Sequence, residues 1–115
     1  MRSVLLVEHD HLTLHVLGGI LRGHGFTVIP TSEPALIEEL IAEVDIVICA
    51  YEMPYVAMKE LLHTIKRRWP QKRIFLTSVT SFEELAAGTH QDIDGFVPKP
   101  FELATINQLL QRIAA

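Results

Sequence analysis

The chain predicts an α/β fold in which a parallel sheet is buried between two layers of helices, and three observations predict it. Short apolar runs rich in β-branched residues, Ser3-Val4-Leu5-Leu6-Val7 and Asp45-Ile46-Val47-Ile48-Cys49-Ala50 above all, lack polar alternation, as strands covered on both faces do. Between such runs, apolar residues recur at three- and four-residue spacing, the mark of one helix face. The two patterns alternate five times, which builds βα units and not hairpins.

Taken in order, the first strand is Ser3 to Val7, followed at once by Glu8-His9-Asp10. A helix is expected from His11 to His24. Asp10 is placed to cap it, Leu14, Leu17 and Leu21 with Val16 and Ile20 form its buried face, and Gly23 and Gly25 bracket its end. Phe26 to Ile29 reads as the second strand. Ser32-Glu33-Pro34 opens a second helix, with Ser32 as a candidate cap and Leu36, Ile37, Leu40 and Ile41 as its stripe. The central strand ends at Ala50 and is stopped by Tyr51-Glu52-Met53-Pro54. A third helix is expected from Tyr55 to Trp69, burying Met58, Leu61, Leu62, Ile65 and Trp69. Arg73 to Thr77 is the fourth strand, and a short helix from Ser81 to near Gly88 should follow. Gly95-Phe96-Val97 is the fifth strand, stopped by Pro98-Lys99-Pro100, and the last helix carries Leu103, Ile106, Leu110 and Ile113.

Composition fits one compact domain spanning residues 1–115, with 49% apolar and 21% charged residues, so a disordered chain is excluded. A net charge of −4 provides no electrostatic footprint for nucleic acid or an anionic membrane. No apolar run approaches the length that spans a bilayer, and the N-terminus has no signal pattern, so a cytoplasmic location is expected. The single cysteine, Cys49, lies inside an apolar run and reads as a small core residue.

The strand ends carry Glu8-His9-Asp10, Ala50, Thr77-Ser78 and Lys99-Pro100. In this order, with VLLVE, IVICAYEMP, IFLTS and GFVPKPF around them, the whole chain resembles the receiver domains of two-component response regulators. The resemblance implies a flavodoxin-like (βα)5 sandwich with parallel strand order 2-1-3-4-5. It also implies a site in which an acidic pair after the first strand holds Mg²⁺ and an aspartate ending the third strand accepts a phosphoryl group from a histidine kinase. A hydroxyl residue and a lysine then read that state. Glu8 matches the first acid, Thr77 the hydroxyl, Lys99 the lysine, and Phe96 an aromatic that switches with the threonine. The Lys99-Pro100 bond is expected to be cis, as the family implies.

The departures fall on the chemistry. The second acid is His9, the acceptor is Ala50, and Ala57-Met58 replaces the Asp-Gly pair often found in the family after the proline. A methyl group has no nucleophilic atom. Mg²⁺ wants oxygen ligands in octahedral geometry, which the site loses with two carboxylates, so binding should be weak or absent and no metal or other cofactor is expected. Lys99 should pair with Glu8, Asp10 or Glu52 instead. The expectation is a pseudo-receiver, not an enzyme, that signals by contact with a histidine kinase, phosphotransferase or output domain without aspartate phosphorylation. One rival is a conventional receiver phosphorylated at an unusual residue such as Asp10, although Asp10 reads first as a helix cap. The other is a small-ligand sensor using the vacated crevice.

Two surfaces are candidates for partners. His11, His15, Gly18 and Arg22 fall on one stripe of the first helix that is expected to be exposed, and the first helix is a common docking surface in the family. The helices after the fourth and fifth strands could support a homodimer. His11 and His15, four residues apart, read as solvated side chains before a metal site.

Overall fold

A computed structural model describes residues 2–115. Five parallel strands, β1 (Ser3–Val7), β2 (Thr27–Thr31), β3 (Ile46–Ala50), β4 (Arg73–Ser78) and β5 (Gly95–Pro98), form one sheet in the order β2-β1-β3-β4-β5. Helices α1 (His11–Gly23), α2 (Ile37–Leu40), α3 (Met58–Arg68) and α4 (Leu103–Ala114) cover it. This is the flavodoxin-like architecture the strand pattern implies.

Alternation along each strand divides the core in two. Leu5, Val7, Val47, Cys49, Ile74 and Leu76 point toward α2 and α3 and pack with Ile37, Ile41, Leu62 and Ile65. Val4, Leu6, Ile46, Ile48 and Phe75 point the other way and pack with Leu17, Leu21, Ile106 and Ile113 of α1 and α4. Each of these large side chains, fully buried, contributes roughly 1.5–3 kcal/mol of hydrophobic stabilisation. Pairing of Val7 with Cys49, Ala50 with Thr77 and Thr77 with Val97 sets the carboxyl ends of β1, β3, β4 and β5 level. One glycine is demanded by space: a Cβ on Gly95 would lie 2.5 Å from the Phe75 ring and 2.8 Å from the Arg112 guanidinium. Arginines close the far end of α4. Arg2 and Arg73 donate to the Ile113 carbonyl at 2.9 and 2.7 Å, satisfying an oxygen the helix leaves free.

The departures from sequence expectation have local causes. β2 runs on to Thr31 and includes Pro30, which is tolerated because β2 is an edge strand paired only with β1. The second helix is a single α turn between two 3₁₀ turns, and the Glu33 N–H is capped by the Thr31 hydroxyl at 3.0 Å, not by Ser32. The third helix starts at Met58, not Tyr55, because Tyr55 sits at φ +61°, fully exposed in the left-handed region.

No α-helix lies between β4 and β5. Residues Phe82–Glu84 and Thr89–Asp92 make two 3₁₀ turns, with Leu85 extended between them and Gly88 at φ +92°. Leu85 is the one hydrophobic residue of this segment in the core, too little burial to hold a short helix. A homodimer surface built from helices after both β4 and β5 therefore lacks one of its helices.

The first and last helices are also rotated from expectation. Gly18 is buried beneath the Arg22 side chain and Leu6, so it does not belong to an exposed stripe with His11, His15 and Arg22, although those three are exposed. Val16 and Leu103, expected inside, are 51% and 78% exposed.

Candidate functional site: a self-paired crevice at the strand ends

The level strand ends bring Glu8, Ala50, Thr77 and Lys99 to one edge of the sheet. Glu8 follows β1 and is 4% exposed. Its Oε1 accepts a hydrogen bond from Lys99 Nζ at 2.5 Å, and its Oε2 accepts one from the Asp10 backbone N–H at 3.0 Å. The Lys99 side chain is itself mostly buried, so this is a shielded ion pair and not a surface contact. Lys99 thus finds a carboxylate, as expected, and the Lys99-Pro100 bond is cis.

Ala50 is buried, its methyl part of the core on the α2–α3 side. Beside it, Cys49 is fully buried. Desolvation, reinforced by the Glu8 charge, pushes its thiol up to about 12, so it stays protonated and inert. Thr77 is buried, and its carbonyl accepts from the Tyr51 N–H at 2.8 Å. Phe96 is half-buried, with the Phe82 ring edge-on at 5.5 Å and His90 against Phe82 in turn at 4.5 Å.

Asp10 caps α1. Its Oδ2 accepts from the Thr13 hydroxyl at 2.6 Å and the Thr13 N–H at 2.9 Å, and these bonds hold its carboxyl below the usual aspartate range. His9 is exposed.

Glu52 does not reach Lys99. Its carboxylate turns to the segment after β4 and accepts from the Ser78 hydroxyl at 2.5 Å, the Val79 N–H at 3.2 Å, the Thr80 N–H at 3.4 Å and the Thr80 hydroxyl at 3.1 Å. Desolvation raises its pKa, but the bonds from Ser78, Val79 and Thr80 outweigh that, so the carboxyl sits below the usual glutamate range. Sequence reasoning named Glu52 but missed these partners. The signal was the hydroxyls of Thr77, Ser78, Thr80 and Ser81 clustered at a strand end facing an acid on the neighbouring one.

Sequence reasoning also missed a groove of about 460 Å³ between α1 and α4. Leu12, Val16, Phe101 and Leu103 line it, and Leu12 is 71% exposed. Too many apolar residues on α1 for one buried face was the available clue.

The Mg²⁺ that the fold family implies does not fit this donor set. Both Glu8 oxygens are engaged, Ala50 offers none, Asp10 is turned to Thr13, and the His9 imidazole is a poor ligand for a hard cation. Among the described residues no cluster of three or more His, Cys, Asp or Glu could hold a metal ion.

A doubly wound parallel sheet with an acid after β1, a hydroxyl residue at the end of β4 and a lysine before a cis proline after β5 defines a receiver-type signalling module. The chain belongs to the response regulator receiver domain family, whose model matches residues 4–112. Over 102 residues, 88% of this chain, it is 28% identical to a cyclic di-GMP phosphodiesterase of Thermotoga maritima. The chain spans only 28% of that relative's length. Among solved structures it is similar to the response regulator TrrA of Thermotoga maritima in complex with Mg²⁺ and BeF, with a TM-score of 0.85 at 18% identity over 98% of this chain and 99% of that one. It is likewise similar to the HemR receiver domain of Leptospira biflexa (TM-score 0.86, 21% identity, 100% and 95% covered). The chemotaxis response regulator CheY4 of Vibrio cholerae gives a TM-score of 0.83 at 24% identity, with 98% of both chains covered. The chain is thus a receiver domain of two-component signalling, and no helix among the described residues is long and apolar enough to cross a membrane.

Proposed function

We propose that this receiver is a pseudo-receiver: a cytoplasmic module, not an enzyme, that signals by protein–protein contact without aspartate phosphorylation. The observation that carries this reading is the Glu8–Lys99 pair at the same sheet edge as the Ala50 methyl. The lysine that would read a phosphoryl group is already neutralised by the chain's own carboxylate, and the residue that would accept one has no nucleophilic atom. Asp10 is a poor substitute acceptor, because it caps α1 through Oδ2 and an acyl phosphate on Oδ1 would turn that charged acceptor into a weaker neutral one. The phosphodiesterase activity named for the Thermotoga maritima relative supports nothing about catalysis in a chain that matches so small a part of it.

The partners that fit the family are a histidine kinase, a phosphotransferase or an output domain. Docking on the first helix is supported by the apolar groove at Leu12, Val16 and Leu103, not by the His11, His15, Gly18 and Arg22 stripe. The test is incubation with Mg²⁺ and acetyl phosphate, and separately with a cognate kinase and ATP, followed by mass spectrometry of the intact protein. The expected mass is unchanged. A stoichiometric phosphoryl adduct mapping to Asp10 or another residue of this crevice overturns the reading.

A further inference from the structure

We infer that Glu52 is a built-in latch, a fixed carboxylate that holds the segment after β4 in a single arrangement as a bound anion would. The inference deepens the pseudo-receiver reading and rests on it for its signalling consequence, although the latch itself is a matter of hydrogen bonding alone. An ionised carboxylate offers about four acceptor sites. Here four donors from one three-residue segment, two backbone N–H groups and two hydroxyls, converge on it. Donors gathered from successive residues onto one anion are what a turn uses to bind an oxyanion. In this chain the anion is tethered two residues beyond the end of β3, so it is never released.

The latch reaches across three strands. The Ser78 hydroxyl donates to Glu52 and also accepts from the Thr80 N–H at 2.9 Å, while the Ser78 carbonyl accepts from the Lys99 N–H at 2.8 Å. The Tyr51 N–H bonds the Thr77 carbonyl on the same edge. Fixing Ser78 therefore fixes the ends of β3, β4 and β5 relative to one another. Downstream the held segment presents Val79, 68% exposed, and leads to Phe82, whose ring packs on Phe96. The Phe82 ring stands edge-on against Phe96, so the held segment buttresses one side of that ring.

In a phosphorylated receiver the anion comes and goes. With a permanent one, the segment has a single favoured state, and a partner would need about 10⁴-fold preference for another arrangement to invert a 99:1 population. All four donors are neutral groups, so high salt should not open the latch, in contrast to a surface ion pair.

Amide hydrogen exchange by NMR on the whole chain tests this. In Glu52→Ala the Val79 amide should exchange about tenfold faster or more, the factor that loss of a hydrogen bond to a charged group implies, and the Thr80 amide, which also donates to the Ser78 hydroxyl at 2.9 Å, should accelerate less. The amides of Leu5, Ile48 and Leu76 in the core strands should be unchanged, and 1 M NaCl should leave the wild-type rates at Val79 and Thr80 within about twofold. Unchanged rates at Val79 and Thr80, or an equal rise at the core amides, overturn the latch. If Glu52→Ala does not fold, Ser78→Ala removes the shortest of the four bonds and should accelerate Val79, whose N–H donates to Glu52 and not to the Ser78 hydroxyl; no acceleration at Val79 overturns the proposal. A phosphoryl adduct in the mass-spectrometric experiment would sink the pseudo-receiver reading and leave this exchange result standing, so the two failures are distinct.

Discussion

Removing Glu8 should be more damaging than removing the whole Glu8–Lys99 pair. At 2.5 Å the two charges attract by about 6–7 kcal/mol at an effective dielectric of 20, and withdrawing them from water costs several kcal/mol each. The pair is therefore close to break-even against apolar replacements, while either charge left alone is not. Glu8→Gln keeps an acceptor for the Asp10 N–H but strands the Lys99 ammonium in a pocket where its side chain is 17% exposed, at a cost of about 3 kcal/mol. Lys99→Met takes the cation from Glu8 but leaves it the Asp10 N–H, so about 2 kcal/mol is expected. The double variant should lose no more than about 2 kcal/mol, a coupling of about 3 kcal/mol between the sites. Urea denaturation at pH 7 with linear extrapolation reads these values, provided the slope is the same in all four proteins. For a chain of 115 residues, the Glu8→Gln loss corresponds to a drop in Tm of roughly 10–15 °C. Coupling below about 1 kcal/mol would show that Lys99 is hydrated and that the crevice is not self-neutralised.

Three further outcomes follow from local geometry. Tyr55→Gly should raise stability by about 1 kcal/mol, because an exposed side chain at φ +61° costs backbone energy and buries nothing; a Tm that does not rise refutes this. Gly95→Ala should cost about 1–3 kcal/mol in urea denaturation, since the new Cβ meets the Phe75 ring and the Arg112 guanidinium. Stability should fall as pH drops from 6 toward 3 more steeply in the wild type than in Glu52→Gln. The Glu52 carboxyl is depressed in the folded state, so its contribution is present above the ordinary value of 4.5 and is lost as pH falls through the folded one. Glu52 is well exposed, so the difference should stay at or below about 1 kcal/mol. Parallel curves for the two proteins would rule it out.

The sheet, its order and both halves of the core were legible because strands buried on both faces read as unbroken apolar runs, and Val4 to Val7, Ile46 to Ala50 and Ile74 to Leu76 are such runs. The site's spine was legible too, since every residue of it stands at a strand end. What failed was decided by tertiary contacts the sequence does not display. On α1, Leu12, Leu14, Val16, Leu17, Ile20 and Leu21 cover more than one helix face, so their pattern does not say which residues go inward; a small rotation buries Gly18 and exposes Val16. Between β4 and β5, Glu83, Glu84 and two alanines have the composition of a helix, but only Leu85 anchors it to the core. The direction of Glu52 depends on the turn through Met53, Pro54 and the left-handed Tyr55, a conformation that a tyrosine does not announce.

The departures at the strand ends make sense together and not singly. In the family's arrangement several carboxylates crowd one lysine, and a divalent cation makes that tolerable. Without the cation, adjacent carboxylates repel and some must take up protons. This chain has a methyl at Ala50, an exposed imidazole at His9, Glu8 paired with Lys99, Asp10 capping α1, and Glu52 facing neutral donors at the rim. It follows that Ala50→Asp alone should not restore phosphorylation. The new carboxyl would enter a position that is 1% exposed, beside a lysine already occupied by Glu8, and would rest protonated. Adding His9→Asp supplies a second oxygen ligand, so that Mg²⁺ can compete with Lys99 for Glu8. With acetyl phosphate and Mg²⁺, the single variant should show no adduct in the intact-mass spectrum and the double variant should show one. Labelling of the single variant to the same extent as the double would mean that the Glu8–Lys99 pair opens freely, and that a carboxylate at position 50 is all that phosphorylation there requires.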